Sequence, residues 1–340
     1  MIIEKFKYKH INPGSGGFMD RNLALEFVRV TEAAAISAAK YMGRGDEKAA
    51  DNAAVDLMRK SFNGLDIDGT IVIGEGERDE APMLYIGEKV GKGNGMKIDI
   101  AVDPLEGTTI TAKGGSNAIS VLAAAPKGNM LHAPDTYMDK IAVGPKAKGS
   151  IDLDATPEEN INAVAQKLGK DPSEITVIIL ERDRHKKLIE DVRKAGARIR
   201  LIGDGDISGA LSPAFEESGI DILMGIGAAP EGVIAAAALK TLGGEIQGRL
   251  KFRNDDERKR AKEMGFLKDI DMKLKMNDMI KGDQAMFAAT GVTNGEILKG
   301  VRFTSKGAVT NSLVMRSWSG TVRFIEAHHD FTRKSAYGDW

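Results

Sequence analysis

From about residue 155 the chain alternates between helical and strand patterns, and this alternation constrains the fold more than any other feature. Apolar residues recur with helical spacing in some segments and form short β-branched runs in the segments between them. Helical patterns occupy 157–168, 184–195 and 231–242, and strand patterns occupy 176–180, 198–202 and 221–224. A helix between two such strands packs on the face of a sheet, so this half is predicted to be α/β.

The first half opens with helices and continues with strands. A Pro/Gly-rich joint at 12–17 sets off residues 1–18, which we predict to be an N-terminal extension. Two helical patterns follow, the second capped by Asp46 and ending at Gly64. Strand patterns then cover 70–73, 97–102, 117–125 and 138–143. We therefore predict one subdomain over 19–154 and a second over 155–340, within an α/β fold.

Composition excludes several classes of protein. The 340 residues carry 48 Lys+Arg against 49 Asp+Glu, so no charge bias points to nucleic acid or anionic lipid. The absence of cysteine removes disulfides, iron–sulfur clusters, thiolate zinc and thiol nucleophiles. No apolar run reaches the length of a membrane span, and the N-terminus lacks the apolar core of a signal peptide. The sequence predicts a cytoplasmic protein.

The strongest chemical signal follows the strand at 97–102. Asp103 ends that strand, Pro104 is expected to force a turn, and the spacing of Asp103 and Glu106 lets their carboxylates converge. The backbone carbonyl of Leu105 lies between them. Carboxylate and carbonyl oxygens are the donors that hard divalent cations prefer, so this segment predicts a metal site.

The next residues suit a phosphate beside that metal. Gly107 and Thr108 offer backbone N–H groups at a predicted helix start, where an anionic oxygen can bind. The Thr108 hydroxyl could hold an attacking water. A plain structural alternative stays open, in which Asp-Pro is only a turn and Glu-Gly-Thr only a helix cap.

Three further acids are candidates for the same site. Glu75 follows a strand and is flanked by Gly74 and Gly76, which leave room for close approach of a ligand or metal. Asp51 lies in an Ala-rich helix, and Glu231 follows a strand and opens a helix. The structural alternatives are a solvated acidic turn for Glu75, an exposed helical residue for Asp51 and a carboxylate that stabilises the helix dipole for Glu231.

Electrostatics favour a cation if these acids meet. Two carboxylates about 5 Å apart repel by roughly 3 kcal/mol at an effective dielectric constant near 20. The five histidines include no H-x-x-x-H pair, so the donors are oxygen atoms, which select Mg²⁺ or Mn²⁺.

The same segments, in order along the chain, resemble the class II fructose-1,6-bisphosphatase family of the lithium-sensitive sugar phosphatases, which include inositol monophosphatases. The resemblance runs from Met19 to about His329. It includes G-T-I-V-I-G-E-G-E from Gly69, D-P-L-E-G-T from Asp103, H-A-P-D-T-Y-M from His132 and A-P-E-G from Ala229. The D-P-L-E-G-T motif alone marks the superfamily, and the whole series marks the family.

The resemblance implies a layered αβαβα sandwich and a gluconeogenic hydrolysis of fructose 1,6-bisphosphate to fructose 6-phosphate, with sedoheptulose 1,7-bisphosphate as a possible second substrate. It implies Mg²⁺ or Mn²⁺ as cofactor and a homo-oligomer, either a dimer or a tetramer. It implies that the acids already named bind metal, with Thr108 orienting the water. Implied metal ligands are Asp51, Glu75, Asp103, Leu105, Glu106 and Glu231, and implied catalytic residues are Glu75, Asp103 and Thr108.

The resemblance also implies a pocket for the sugar bisphosphate. Arg182 and Arg184 would grip the uncleaved phosphate, and Asp204 and Asp206 would accept hydrogen bonds from sugar hydroxyls. A solvated basic helix start is the alternative for the two arginines. The substrate-binding set implied in full is Glu106, Gly107, Thr108, Tyr137, Arg182, Arg184, Asp204, Asp206 and Glu231.

Two other functions stay open on the sequence. Glycines at 203, 205 and 209, and at 225 and 227, follow strands and resemble dinucleotide-binding loops, which would suit an NAD(P)-dependent oxidoreductase. A non-catalytic sugar-phosphate sensor would keep Arg182, Arg184 and Tyr137. The sensor would have no use for five metal-seeking acids.

Overall fold

The computed structural model describes residues 19–76, 82–265, 267 and 269–333, and the predicted extension at 1–18 lies outside them. The helices are α1 (Leu23–Ala39), α2 (Glu47–Phe62), α3 (Thr108–Lys113), α4 (Pro157–Leu168), α5 (Lys186–Lys194), α6 (Asp206–Leu211), α7 (Ala229–Leu242), α8 (Asp255–Met264) and α9 (Met276–Met279). The strands are β1 (Ile67–Ile73), β2 (Lys89–Val90), β3 (Met96–Glu106), β4 (Ile119–Pro126), β5 (Tyr137–Val143), β6 (Thr176–Leu180), β7 (Arg198–Ile202), β8 (Ile222–Ala228), β9 (Glu245–Lys251), β10 (Leu274–Lys275), β11 (Met286–Gly291), β12 (Arg302–Thr304), β13 (Gly307–Arg316) and β14 (Thr321–Asp330).

The strands form two mixed sheets. The first has the order β12-β13-β11-β4-β3-β1-β2, with β14 also paired to β13. The second has the order β10-β9-β5-β8-β6-β7. Parallel pairing joins β1 to β3 and β6 to both β7 and β8, so each sheet contains the crossover connections that a sandwich with helical layers requires.

Helices cover both sheets and separate them. Helices α1 and α2 pack on the outer face of the first sheet, α7 packs between the two sheets, and α4 and α5 cover the second sheet. The layers therefore read αβαβα, which confirms the expected α/β fold.

The sequence of α7 explains its central place. From Val233 to Leu239 every residue of this helix is buried. A helix that is apolar all round must be covered on every side, and its alanines keep the two sheets close. The first turn of α7 lies at one end of this middle layer, and Glu231 belongs to that turn.

The sheets divide the chain differently from the predicted boundary at residues 154/155. Strands β11 to β14 return to the first sheet, while the second sheet is built from residues 137–275. Of these returning strands, β13 and β14 are the longest, with ten residues each. Local patterns reveal a strand but not its partner, so this return could not be deduced from strand order.

Strand β3 does not end at Pro104 as expected. It continues to Glu106, and its register against β4 shifts between Asp103 and Glu106. A register shift of this kind tolerates proline, because the ladder is already interrupted there. None of the described helices is long and apolar enough to cross a membrane.

Candidate active site

A cleft of about 380 Å³ lies where the end of β3, the start of α3 and the first turn of α7 meet. Residues from both halves of the chain line it, and two of them, Asp51 and Glu231, are 180 positions apart in sequence. The predicted site residues on its wall are Asp51, Glu75, Asp103, Leu105, Gly107, Thr108, Asp204 and Glu231.

The end of β3 positions the central part of this wall. The Leu105 N–H donates to Asp103 Oδ1 at 3.1 Å, which fixes the carboxylate at the register shift. Gly107 then adopts φ +94°, and an added Cβ would meet Ile110 and Ala118 at 3.2–3.3 Å. Glycine is therefore required at this turn, which leads directly into α3 and presents Thr108 to the cleft.

Glu75 reaches the cleft from the loop after β1. Its N–H donates to the carbonyl of Leu84 at 3.0 Å. At Gly74, an added Cβ would lie 2.0 Å from the same carbonyl oxygen. Gly74 thus allows two backbone segments to touch, rather than leaving room for a ligand as the sequence suggested.

Two helices supply the remaining acids. Asp51 lies on α2, whose N-terminus is capped by Asp46 accepting from Ala49 N–H at 2.9 Å. Glu231 is in the first turn of α7, where its Oε2 accepts from the N–H of Ala228 at 3.3 Å. Its position is favourable for a carboxylate because the helix N-terminus carries partial positive charge.

Burial and mutual repulsion raise the pKa values of the cleft acids. Burial, with the charges of Asp51 and Asp103, raises the pKa of Glu75 to about 8. Burial, with the charges of Asp51, Asp204 and Asp206, raises the pKa of Asp103 to about 7. Burial also raises the pKa of Asp51. Ionising all of these acids at once is therefore costly, because no Lys or Arg is among the described residues that line the cleft.

Glu106 points away from the cleft surface, toward α6. It is buried, and its carboxylate accepts hydrogen bonds from Ile207 N–H, from Ser208 N–H at 3.3 Å and from the Ser208 hydroxyl at 3.1 Å. Burial and the charges of Asp103 and Asp206 raise its pKa well above the ordinary value. Its carboxylate thus ties β3 to α6, and its role as a metal ligand stays a prediction.

Asp206 also differs in placement from the sequence expectation. Its carboxylate is buried and forms an ion pair with the buried Lys140, whose Nζ also donates to the carbonyl of Ala228 at 2.9 Å. Burial raises the pKa of Asp206, but Lys140 and a hydrogen bond with Glu231 outweigh it, and the net pKa is lowered. Asp206 therefore faces Lys140 rather than open solvent where a sugar hydroxyl would bind.

Glu231 completes this buried group. Burial, and then the charge of Asp206, raise its pKa well above the ordinary value. No backbone or side-chain N–H, and no hydroxyl, donates to Asp206 Oδ1 within the described part of the chain. Asp206 and Glu231 are hydrogen-bonded to each other, and Lys140 supplies the positive charge beside them.

Lys140 is a buried residue of this group that the sequence analysis did not anticipate. It occupies a buried position of β5, between Met138 and Ile141. A lysine at a buried position of a strand is uncommon, because its charge must be paired there. That signal was present in the sequence, but it does not identify the partner.

The remaining predicted residues lie beside the cleft. The Arg184 guanidinium lies 4.7 Å from the ring centroid of Tyr137 and donates to the carbonyl of Ile226. Arg182 is exposed, and its charge acts on Asp204. Arg253, which was not anticipated from the sequence, also contacts Tyr137. Its guanidinium carbon lies 5.4 Å from the centroid of the Tyr137 ring.

The donor set fits a hard divalent cation. The cleft offers carboxylates and the Leu105 carbonyl, and their raised pKa values report uncompensated negative charge. Within residues 19–76, 82–265, 267 and 269–333, no three His, Asp or Glu side chains are drawn together tightly enough to form a preformed metal-binding group. The acids line one cavity and would converge on a bound ion.

The glycine loops that suggested a dinucleotide have another explanation. An added Cβ at Gly225 would lie 3.0 Å from Nε2 of His185. An added Cβ at Gly227 would lie 1.8 Å from Oδ2 of Asp206. Both glycines admit side chains of the protein itself, so the structure does not favour the NAD(P) alternative.

The raised pKa values predict how pH changes the stability of the metal-free protein. Asp103 and Glu75 bind protons up to about pH 7 and 8 when folded, but only to about pH 4 when unfolded. Stability is therefore greatest at low pH within this window and is lost as pH rises through the folded-state values. In EDTA, we expect Tm to fall between pH 5 and 8.5.

Added Mg²⁺ or Mn²⁺ should reverse this fall, because a cation binds the deprotonated acids of the folded state. Thermal melts followed by circular dichroism at matched ionic strength, with KCl as the control salt, measure both effects. A Tm that rises steadily to pH 8.5 in EDTA would contradict the assignment of charge to this cleft.

Known proteins match nearly the whole chain in sequence. Residues 21–329 match the family model described as "Bacterial fructose-1,6-bisphosphatase, glpX-encoded". The D-fructose 1,6-bisphosphatase class 2/sedoheptulose 1,7-bisphosphatase of Synechococcus sp. (strain JA-3-3Ab) is 48% identical over 335 residues, covering 92% of this chain and 96% of the relative. Fructose-1,6-bisphosphatase 1 class 2 of Escherichia coli (strain K12) is 47% identical over 329 residues, covering 93% and 97%. The chain therefore belongs to the glpX-encoded bacterial fructose-1,6-bisphosphatase family.

Proposed function

We propose that this protein is a metal-dependent phosphatase that hydrolyses the 1-phosphate of fructose 1,6-bisphosphate, releasing fructose 6-phosphate and inorganic phosphate. The observation that carries the proposal is the acidic cleft itself. Acids from separate elements face one cavity of about 380 Å³ beside an open turn at Gly107 and Thr108. A sensor that only bound a sugar phosphate would gain nothing from so much unneutralised charge.

The residues that would hold Mg²⁺ or Mn²⁺ are Asp51, Glu75, Asp103, the Leu105 carbonyl, Glu106 and Glu231. When bound, a divalent cation supplies charge neutralisation of the phosphate and the leaving oxygen, and lowers the pKa of a water. The protein must keep these acids deprotonated at the working pH. Their raised pKa values make that easiest above neutrality, where the cation competes with fewer protons.

Thr108, Gly107 and Asp103 would bind the reacting phosphate and position the attacking water. Thr108 and Asp103 both line the cleft, where the Thr108 hydroxyl would hold a water for in-line attack. The backbone N–H groups of Gly107 and Thr108 lie at the same turn and can donate to phosphate oxygens. The carboxylate of Asp103 can accept a proton as the water attacks.

The second phosphate would bind on the other side of the cleft. Arg182 and Arg184 supply its positive charge, Tyr137 stacks against the Arg184 guanidinium, and Asp204 on the cleft wall accepts from sugar hydroxyls. Asp206 would position Glu231 through the hydrogen bond between their carboxyl groups. Its predicted direct contact with sugar does not suit its burial against Lys140.

The name of the Synechococcus relative also includes sedoheptulose 1,7-bisphosphatase. We include that seven-carbon bisphosphate as a second candidate substrate on this ground. A homo-oligomeric state and a cytoplasmic location stay predictions.

The experiment is phosphate release from a panel of fructose, sedoheptulose and inositol phosphates. With Mg²⁺ or Mn²⁺, we expect one equivalent of phosphate from fructose 1,6-bisphosphate and accumulation of fructose 6-phosphate. EDTA should stop the reaction, and inositol monophosphate should react at least 100-fold more slowly, because it lacks the second phosphate. Production of fructose 1-phosphate, or turnover undiminished by EDTA, would contradict the proposal.

A further inference from the structure

His185 is buried where the turn carrying Arg182 and Arg184 meets β8. Its Nδ1 lies 2.6 Å from the carbonyl oxygen of Leu180, and its Nε2 lies 2.7 Å from the N–H of Ile226. A backbone N–H can only donate, so Nε2 is the acceptor. Nδ1 therefore carries the proton and donates to Leu180, which fixes a single neutral tautomer.

Ile226 is the backbone partner of both His185 and Arg184. The carbonyl of Ile226 accepts from Arg184 Nε at 3.0 Å and from Nη2 at 2.8 Å. The same guanidinium lies 4.7 Å from the centroid of the Tyr137 ring. Ile226 is thus fixed through its N–H by the imidazole and fixes the guanidinium through its carbonyl.

The backbone of β8 leaves space for the His185 imidazole at Gly225. Gly225 has φ +136°, a conformation that other residues rarely adopt. An added Cβ there would lie 3.0 Å from Nε2 and 3.2 Å from Cε1 of His185. The close approach of imidazole and strand is therefore a specific fit at this point of β8.

We propose that His185 is a positioning residue for the second phosphate, holding Arg184 at the substrate site by linking the end of β6 to Ile226 on β8. This inference rests on the proposed function, in which Arg184 binds the uncleaved phosphate. Arg184 is exposed and would otherwise sample many rotamers. A fixed guanidinium loses less entropy when the phosphate binds.

The groups around the imidazole keep it in the form that this role requires. Burial lowers the pKa of His185, the carbonyl of Leu180 and the charge of Asp139 oppose that change, and the charges of Arg184 and Arg182 lower the pKa further. The ring is therefore neutral at pH 7. Nε2 remains free of a proton and can accept from Ile226.

The test compares fructose 1,6-bisphosphate with fructose 1-phosphate, which has no second phosphate to position. For His185→Ala and for His185→Phe, which keeps the ring volume, we expect KM for the bisphosphate to rise about tenfold, with kcat changed less than threefold. Catalytic efficiency on fructose 1-phosphate should change less than threefold. His185→Gln replaces the imidazole with an amide, whose N–H can donate to Leu180 and whose oxygen can accept from Ile226. This variant should restore KM to within threefold of the wild type.

Three results would overturn the proposal: unchanged KM in both disruptive variants, equal losses on the two substrates, or failure of both variants to fold. Equal losses or unfolding would make His185 a purely structural residue. Arg184→Ala separates this inference from the proposed function. If Arg184→Ala leaves KM for the bisphosphate unchanged, the proposed phosphate subsite fails, and the His185 proposal fails with it. If Arg184→Ala raises KM but the His185 variants do not, only the His185 proposal fails.

Discussion

Asp103→Asn should reduce kcat for fructose 1,6-bisphosphate hydrolysis by about a thousandfold or more, while raising the Tm of the metal-free protein. The activity falls because the neutral amide contributes no charge to the cation site, and such sites supply several kcal/mol of transition-state stabilisation. The Tm rises because the amide removes a charge that Asp51, Asp204 and Asp206 repel. Phosphate release and circular dichroism melts at pH 8 in EDTA measure the two effects.

Asp99→Asn is the matched control. Asp99 lies on the same strand, is buried, and accepts from the N–H of Gly128 at 2.6 Å, away from the cleft. The asparagine oxygen can keep that hydrogen bond, so activity should stay within threefold of the wild type and Tm should not rise. If Asp103→Asn retained more than a tenth of the wild-type activity, Asp103 would not be a metal ligand.

Much of the cleft could be predicted because its residues follow strands or begin helices. Asp103 ends an apolar run, and Glu231 opens a helix directly after another strand. These two strands belong to different sheets, and α7, which packs between the sheets, brings their ends to one cleft. The strand-end positions, together with the family motifs, were enough to name eight of the residues that line the cleft.

The sequence could not show which acids face the cavity and which face other protein groups. Glu106 is three residues from Asp103, yet its carboxylate binds the N–H groups of α6. Its direction depends on the register shift beside Pro104 and on the hydrogen bonds from α6. The shift comes from pairing with β4, and the hydrogen bonds join residues 101 and 102 positions apart, so a local motif encodes neither.

The glycines show a related limit. Gly74, Gly225 and Gly227 each allow a close approach that glycine alone permits, but the neighbour differs in each case. The neighbours are a backbone carbonyl, an imidazole and a carboxylate. From sequence alone, all three glycines suggested space for a ligand. Only the positions of Leu84, His185 and Asp206 reveal that the protein fills that space itself.

The sequence patterns also did not reveal that β11 to β14 return to the first sheet. Each of these strands has a recognisable pattern, but the pattern is compatible with an edge of either sheet. Pairing of β11 with β4 joins residues more than 160 positions apart. Along the sequence, the last strands of the first sheet therefore follow all the strands of the second. The division into a metal-binding and a sugar-phosphate-binding subdomain at 154/155 stays a prediction.

Lys140→Met should destabilise the protein by about 3–5 kcal/mol, because it leaves the buried carboxylate of Asp206 without its counter-ion. The side chains of Lys140 and Asp206 are each only 3% exposed, so water cannot replace the lost partner. For a chain of this size that loss corresponds to a fall in Tm of roughly 5–10 °C. Thermal melts at pH 7.5 measure it.

The double variant Lys140→Met/Asp206→Leu tests the cause of this loss. If the unpaired charge is responsible, removing it should recover most of the Tm, since apolar side chains of similar volume can replace a buried ion pair at little cost. Lys187→Met is the exposed control. Its pair with Asp191 has side chains 78% and 33% exposed, so Tm should change by less than about 1 °C. If Lys140→Met melted within 2 °C of the wild type, Lys140 would not be the group that permits Asp206 to remain charged beside Glu231.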